Sequence, residues 1–264
     1  MKLYLQRICV EFELVTFLIV CPLVFLAGFI DAIAGGGGLI SMPAYLFAGL
    51  PPHYALGTNK LSSTIGAIVA SLRYYKNGFV DMAICFPSII CALMGSFIGA
   101  HIALHVNEEI LQKILIILLP IIAIYILKNK SLNVAINSIP RKKTLIYSTI
   151  ISFAVGMYDG FFGPGTGTFL IIAFIGIARI APRTAAGNAK IINLSSNIAG
   201  LSVFLYNGYV SIALGLIAGI FSIFGSYMGA GLAIKKGSNI IRYAIFFVIT
   251  LLFCKLAWDI VFQN

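Results

Sequence analysis

The chain has 264 residues, of which 60% are hydrophobic and 10% charged, and its formal net charge is +10. A soluble domain contains about 25% charged residues, so this composition excludes an ordinary soluble protein. It also excludes a nucleic-acid-binding role for the positive charge, because the basic residues lie in short loops between apolar runs, where membrane topology explains them.

The first predicted element is an apolar stretch, residues 14–50, interrupted by the run Gly35 to Gly38. Helix rises about 1.5 Å per residue against a bilayer core of about 30 Å, so the stretch is too long for one span. Two alternatives stay open: a hairpin that returns to its starting side, or one broken helix that crosses. Asp31 precedes the glycines inside apolar sequence, where a carboxylate costs about 2.5–3.5 kcal/mol. It is interpreted either as a site for a coupling proton or cation, or as a cap for backbone donors at the break.

Three regular helices are predicted to follow, at residues 58–75, 82–104 and 109–127. Lys60 is predicted to open the first of them, directly after Asn59 and before Ser62 and Ser63. A lysine at a helix end either snorkels to the membrane interface or, with amide and hydroxyl donors beside it, helps to bind an anion.

The second half of the chain repeats this order. An apolar stretch, residues 144–178, contains Gly163-Pro164-Gly165-Thr166-Gly167 and is preceded at the break by Asp159. Helices are predicted at 187–206, 210–233 and 239–262, and Lys190, like Lys60, is predicted to open the first of them. The predicted units are a first membrane repeat (1–130), a basic cytoplasmic linker (131–143) and a second membrane repeat (144–264).

Matched blocks at nearly one spacing identify the duplication. The block Pro52 to Lys60 matches Pro182 to Lys190 at a spacing of 130 positions, and Asn77-Gly78 matches Asn207-Gly208 at the same spacing. The Gly-x-x-x-Gly pairs Gly95/Gly99 and Gly225/Gly229 also match, and are interpreted as helix-packing seams. Apolar composition alone does not produce several matches in register, so the chain is a tandem duplication.

The distribution of basic residues favours the hairpin alternative. With hairpins each half crosses the membrane three times, the halves are inverted, and 13 of the 18 basic residues lie on one face. With a crossing broken helix the two faces receive nearly equal shares. The positive-inside bias therefore predicts inverted repeats with both termini outside the cytoplasm.

Broken helices at membrane depth are typical of substrate sites, because glycine exposes backbone N–H groups that favour anions at the start of the following half-helix. Close helix packing is the alternative explanation for the glycines. The predicted substrate-binding residues are Gly36, Gly37, Gly38, Asn59, Lys60, Gly163, Gly165, Thr166, Asn188, Lys190 and Asn193, with Asp31 and Asp159 in a coupling or structural role.

Gly28-Phe29-Ile30-Asp31 with the glycine run, Gly57-Thr58-Asn59-Lys60, and Gly187-Asn188-Ala189-Lys190 resemble the TauE/SafE sulfite exporter family over nearly the whole chain. The resemblance implies an α-helical transporter of sulfite, sulfonates or related sulfur- and carboxylate-bearing anions in the bacterial cytoplasmic membrane. It names a class of substrate and not one molecule. The two glycine clusters differ from each other here, so the site need not be symmetric.

The predicted function is therefore secondary transport of a small anion by alternating access, with an anion channel of the same architecture as the alternative. An intramembrane hydrolase is not expected, since no G-x-S-x-G motif is present, and no G-x-x-x-x-G-K-[ST] nucleotide loop occurs. No cofactor is predicted, and His101 and His105 lack an acidic ligand between them, so no metal site is predicted there. Lys255 and Asp259 are expected to pair. The expected partners are the anion, the lipid bilayer and a coupling proton or cation, with self-association left open.

Overall fold

The computed structural model describes residues 14–107, 110 and 139–236. Across these residues the chain forms helices and no strands, which confirms the predicted all-α class. The helices are α1 (Leu14–Ala34), α2 (Gly38–Phe47), α3 (Pro52–Lys76), α4 (Met82–His105), α5 (Arg141–Phe161), α6 (Thr166–Gly176), α7 (Pro182–Tyr206) and α8 (Ile212–Lys236). The predicted helices 109–127 (apart from residue 110) and 239–262, most of the predicted linker, and the expected Lys255–Asp259 pair lie outside the described residues.

Each glycine cluster ends one helix and begins a shorter one. Gly35 and Gly165 have φ values of +80° and +84°, left-handed conformations that glycine adopts without strain. A Cβ atom placed on Gly37 would lie 2.5 Å from the Ala27 carbonyl oxygen, although residues ten positions apart in a continuous helix are about 15 Å apart. The chain therefore folds back at the first break, which favours the hairpin alternative there.

The second break has the same character. The rings of Tyr158 on α5 and Phe169 on α6 contact each other edge to face, with their centroids 5.3 Å apart. The Tyr158 hydroxyl also donates to the Pro164 carbonyl within the break. Contacts between residues that precede and follow the break show that α6 also turns back toward α5.

The long helices α3 and α7 begin earlier than predicted. Proline occupies the first position of both, where its missing N–H costs no helical hydrogen bond. Lys60 and Lys190 therefore lie two turns inside their helices, and the prediction that they open these helices is wrong. They are 1% and 0% exposed, so the alternative in which they snorkel to the interface is excluded in this structure.

The two halves exchange helices. In the first half α4 packs against α5 and α7 of the second, and α8 of the second packs in turn against α1 and α3 of the first. Two side chains also connect the halves at the loops, because each accepts a backbone N–H of the other half. The Thr58 hydroxyl accepts the N–H of Ser211 at 3.0 Å, and the Asn188 amide oxygen accepts the N–H of Asp81 at 2.9 Å.

Small residues allow the exchanged helices to pack closely. A Cβ atom on Gly99 of α4 would lie 2.0 Å from the Met157 carbonyl oxygen of α5, and one on Gly229 of α8 would lie 2.2 Å from that of Phe29 on α1. Such distances are far below any normal contact, so the backbones meet directly only because these positions carry no side chain. The interpretation of the Gly-x-x-x-Gly pairs as packing seams is confirmed.

The outer surface is apolar and the interior contains polar groups. Of the described helices, α1 (Thr16–Ala34), α4 and α8 are long and apolar enough to span a membrane. On α4 the exposed large side chains recur along one face, and Phe86 and Met94 are 67% and 56% exposed. An apolar face turned outward on a long helix belongs in lipid, as does the similar face of α8.

Candidate functional site

Two buried ion pairs connect the halves of the protein. Lys60 Nζ on α3 lies 2.6 Å from Asp159 Oδ2 on α5, and Lys190 Nζ on α7 lies 2.7 Å from Asp31 Oδ2 on α1. Each lysine thus pairs with the aspartate of the opposite half. The pairs are related by the duplication, since Lys60 matches Lys190 and Asp31 matches Asp159 in the sequence repeat.

Pairing explains how four charges are tolerated inside an apolar protein. An isolated charge within a membrane is costly, and such residues usually pair with one another or face a cavity. Removing one partner of a buried pair leaves an uncompensated charge, whereas the intact pair recovers part of its desolvation cost through mutual attraction. Each buried charge therefore depends on the opposite half of the chain for its partner.

The Asp159–Lys60 pair is sealed from solvent. The side chains of Lys60 and Asp159 are 2% and 3% exposed. The Lys60 ammonium donates to the main-chain carbonyl of Asp159 at 2.5 Å. It also forms an ion pair with Oδ2, which accepts no hydrogen bond among the described residues. The other carboxylate oxygen of Asp159 accepts the Thr166 hydroxyl at 2.8 Å. These contacts bind the carboxylate to both sides of the second glycine break.

The Asp31–Lys190 pair has different surroundings. The Asp31 side chain is 22% exposed, although Lys190 is fully buried. Asp31 Oδ1 accepts the N–H of Gly37, at the start of α2, at 3.3 Å, while Oδ2 faces Lys190. The carboxylate therefore combines two features of the predicted anion site, because it caps the first break and neutralises a lysine.

A small polar cavity lies beside Asp31, between α1, α2, α3 and α8. The centre of a water molecule can occupy about 20 Å³ of this cavity, which is enough space for about one water molecule. Apart from Asp31, its polar side chains are four serines, Ser41, Ser63, Ser222 and Ser226. The cavity brings solvent-sized space and hydroxyl groups to one of the two ion pairs.

Glycines make room for this cavity. A Cβ atom on Gly66 would lie 2.1 Å from the Ser222 hydroxyl oxygen, and one on Gly28 would lie 3.1 Å from both the Ser222 and Ser226 hydroxyl oxygens. Around the Asp159–Lys60 pair the repeat places Ala92 and Phe169 in the positions of Ser222 and Ser41, whereas Ser96 matches Ser226 and Asn193 matches Ser63. Two of the four cavity hydroxyls, those of Ser41 and Ser222, thus have no polar counterpart beside the other pair.

The two glycine breaks meet at the centre of the described helices. A Cβ atom on Gly35 would lie 2.1 Å from the carbonyl carbon of Gly167, and one on Gly38 would lie 2.9 Å from Cα of Pro164. The Thr168 hydroxyl of α6 donates to the Ala34 carbonyl of α1 at 2.8 Å. Backbone fills the space between the breaks in this conformation, so an anion held directly between them requires the two hairpins to separate.

The three predicted asparagines occupy different surroundings. Asn59 accepts the hydroxyls of Ser41 and Ser63 at 2.6 and 3.4 Å, and so positions two serines of the cavity. The Asn188 amide oxygen accepts the N–H of Asp81 in the loop before α4. Its amide nitrogen has no hydrogen-bond partner among the described residues. Asn193 is buried one turn beyond Lys190.

The remaining predicted residues lie around the breaks. Gly36, Gly37 and Gly38 surround the start of α2, and Gly37 lines the cavity. A Cβ atom on Gly163 would lie 3.4 Å from Lys60 Nζ, and Gly165 directly precedes α6. The imidazoles of His101 and His105 each contact the carbonyl four residues earlier on α4. Within the described ranges no three His, Cys, Asp or Glu side chains form a group that could hold a metal ion.

Sequence reasoning missed Ser41, Ser222 and Ser226. A serine in an apolar helix is common, because its hydroxyl can bond the carbonyl one turn earlier. One signal was available, since Ser226 lies in the repeated Gly-Ser block at 225–230 and Ser222 precedes it by one turn on the same helix face. The pairing of each lysine with the opposite aspartate had no signal in spacing alone.

The apolar surface, the buried charge pairs and the broken helices define a helical membrane protein with an internal duplication. A family model described as "Sulfite exporter TauE/SafE" matches residues 20–256. The chain belongs to the TauE/SafE sulfite exporter family of membrane transporters.

Named relatives cover nearly the whole chain. It is 37% identical over 249 residues to "Probable membrane transporter protein ORF9" of Sinorhizobium sp, with 94% of each chain covered. It is 37% identical to "Probable membrane transporter protein YfcA" of Escherichia coli strain K12, covering 89% of this chain and 87% of the relative. A "Probable membrane transporter protein" of Haemophilus influenzae is 35% identical, covering 89% and 92%. No solved structure matches the chain.

Proposed function

We propose that the protein is a secondary carrier that moves a small anion across the bacterial cytoplasmic membrane by alternating access. The substrate class is sulfite, a sulfonate or a related sulfur- or carboxylate-bearing anion, and the family description supports this choice. The relatives, whose names describe membrane transporters, support transport over catalysis.

The observation that carries the proposal is the two buried lysine–aspartate pairs, each joining the two halves, beside glycine breaks that contact each other. A carrier needs an anion site that each side of the membrane reaches in turn, and such sites lie where broken helices of two repeats meet. Here Lys60 and Lys190 lie at such a junction, with the N-terminal amides of α2 and α6 beside them. In the proposed cycle an anion takes its donors from this set when one half moves against the other.

The repeats are proposed to be inverted in the membrane, with most basic residues cytoplasmic and with several crossings. The exchange of α4 and α8 between the halves, and the chain reversal at both breaks, support this arrangement. Inversion gives the two halves the same structure viewed from opposite faces, which is the property that alternating access uses. A coupling ion and self-association stay predictions.

The test is anion exchange in proteoliposomes that contain the purified protein. Sulfite, sulfate, thiosulfate, sulfoacetate, acetate and chloride are compared at matched ionic strength. We expect saturable uptake of one sulfur oxyanion or carboxylate, accelerated when the same unlabelled anion is present inside. Uptake that does not saturate and is not accelerated by internal anion would indicate the channel alternative. Absence of uptake for every anion in the panel would contradict the proposal.

A further inference from the structure

We propose that Asp31 is a resident anion that occupies the substrate's donors, and that one proton must bind Asp31 for each anion that takes its place. This inference rests on the proposed function and specifies its coupling ion as a proton. It assigns the Asp31–Lys190 pair as the exchanging pair and the Asp159–Lys60 pair as the fixed one.

The contacts of Asp31 are those that an external oxyanion needs. Its two oxygens face the Lys190 ammonium at 2.7 Å and the Gly37 N–H at 3.3 Å. A buried ammonium and an amide at the start of a helix both favour a negative oxygen. Because the protein's own carboxylate holds both donors, an anion from solvent cannot reach them while Asp31 is charged and in place.

Charge balance determines what must accompany the anion. If an anion joined the intact pair, the pocket would contain two negative charges beside one lysine, at high cost in an apolar interior. When a proton from water binds Asp31 Oδ2, the contact with Lys190 breaks and the ammonium becomes free to pair with the anion. One proton and one monovalent anion then enter together, and both leave when the carboxylate ionises and returns to Lys190.

Access differs between the two pairs and indicates which one exchanges. Asp31 is 22% exposed and borders the serine-lined cavity, whereas Asp159 is 3% exposed and bonded to Thr166. Asp31 can therefore receive a proton through one water and the four hydroxyl groups around it. Among the described residues, Asp159 does not line this cavity.

The charged and titratable groups around Asp31 are few among the described residues. From α7 it faces Lys190, and from α3 it interacts electrostatically with Tyr74, whose hydroxyl donates to the Ala32 carbonyl at 3.1 Å. The cavity side chains of α2 and α8 are neutral serines, and α6 has no titratable residue. Arg73 of α3 is directed elsewhere and donates to the Tyr227 carbonyl. Among the described residues, Lys190 is thus the one positive charge in contact with Asp31.

The experiment measures anion affinity and proton uptake in the detergent-purified, full-length protein. The probes are methanesulfonate and ethanesulfonate, monovalent anions that stay ionised between about pH 5.5 and pH 8.5, so only the protein titrates. In the wild type we expect affinity to fall as pH rises, approaching tenfold per pH unit, with about one proton taken up per anion bound in weakly buffered solution. Asp31→Asn should bind the anion with an affinity independent of pH and should take up no proton.

The matched control is Asp81→Asn, which lies outside both pairs at the start of α4, where asparagine can still cap the helix, and it should keep the wild-type pH dependence. Lys190→Met/Asp31→Asn removes the exchanging pair without leaving a buried charge, and it should lose binding while its thermal transition stays sharp. Anion binding with the same pH dependence in Asp31→Asn as in the wild type would overturn the assignment of Asp31 and leave the proposed function standing. If neither probe binds to the wild type or to Asp31→Asn at any pH, the proposed anion site itself is refuted.

Discussion

Lys60 shows how one residue depends on a partner far away in the sequence. Its ammonium is buried, and the carboxylate that neutralises it belongs to Asp159 in the other half of the chain. Gly200 makes room for it, since a Cβ atom there would lie 3.2 Å from the Lys60 Cε. The contribution of Lys60 to stability therefore depends on the whole arrangement around it and not on its charge alone.

A buried pair predicts a clear difference between single and double substitutions. Lys60→Met should destabilise the protein by about 3–5 kcal/mol, because Asp159 keeps its charge without a partner. Lys60→Met/Asp159→Asn should recover most of that loss, because no charge remains buried. Unfolding of both variants in detergent gives the comparison. A single variant as stable as the double variant would show that Asp159 does not need Lys60.

At the scale of elements, the two glycine breaks determine how the hairpins meet. Gly35 faces the backbone of α6, and Gly167 faces Gly35 in return. Gly49, which follows α2, is a control for Gly35, because its φ is also positive, at +82°. A Cβ atom added to Gly49 would contact no atom within 4 Å. Substitutions at Gly35 and Gly49 therefore distinguish the cost of backbone strain from the cost of a steric clash.

Gly49→Ala should lose only the cost of a left-handed alanine, about 1 kcal/mol. Gly35→Ala should lose several times more, because its Cβ atom would overlap the backbone of Gly167 and the hairpins would have to move apart. Thermal transitions of the two variants, measured side by side in detergent, test this. Equal losses at the two positions would mean that the breaks do not touch.

The elements also show what sequence can predict. The glycine clusters identified both breaks, and the repeat identified the matching lysines and aspartates, because both are local patterns. The predicted start of α3 at residue 58 is six residues late, because Pro52 begins the helix and proline is favourable at the first helical position. The crossed pairing and the exchange of α4 and α8 are contacts between distant parts of the chain, so spacing alone could not predict them.

At the scale of the whole molecule, the duplication produces two related but unequal sites. The crossed pairs, the loop contacts of Thr58 and Asn188, and the glycine seams all occur twice. The serines beside Asp31 are only partly repeated, since Ser96 matches Ser226, whereas Ala92 stands in the position of Ser222 and Phe169 in that of Ser41. Repetition therefore provides the framework, and the differences between halves provide one accessible site.

Inverted topology predicts which loops share a face of the membrane. Lys142→Cys and Lys235→Cys, each in a background without the five native cysteines, should react with an impermeant thiol reagent from the cytoplasmic face only. Labelling of intact cells and of inverted vesicles distinguishes the faces. Reaction of the two positions from opposite faces would contradict the inverted arrangement.

The most direct test of the central claim is the proteoliposome exchange measurement applied to the two neutralised pairs. Lys190→Met/Asp31→Asn and Lys60→Met/Asp159→Asn each remove one pair without leaving a buried charge, so a loss of transport cannot be attributed to unfolding when both variants keep their thermal transitions. We expect the Lys190→Met/Asp31→Asn variant to lose saturable anion exchange. The Lys60→Met/Asp159→Asn variant should fold and retain measurable exchange. Wild-type exchange in the Lys190→Met/Asp31→Asn variant would contradict the account, because the anion would then bind without the donors assigned to it.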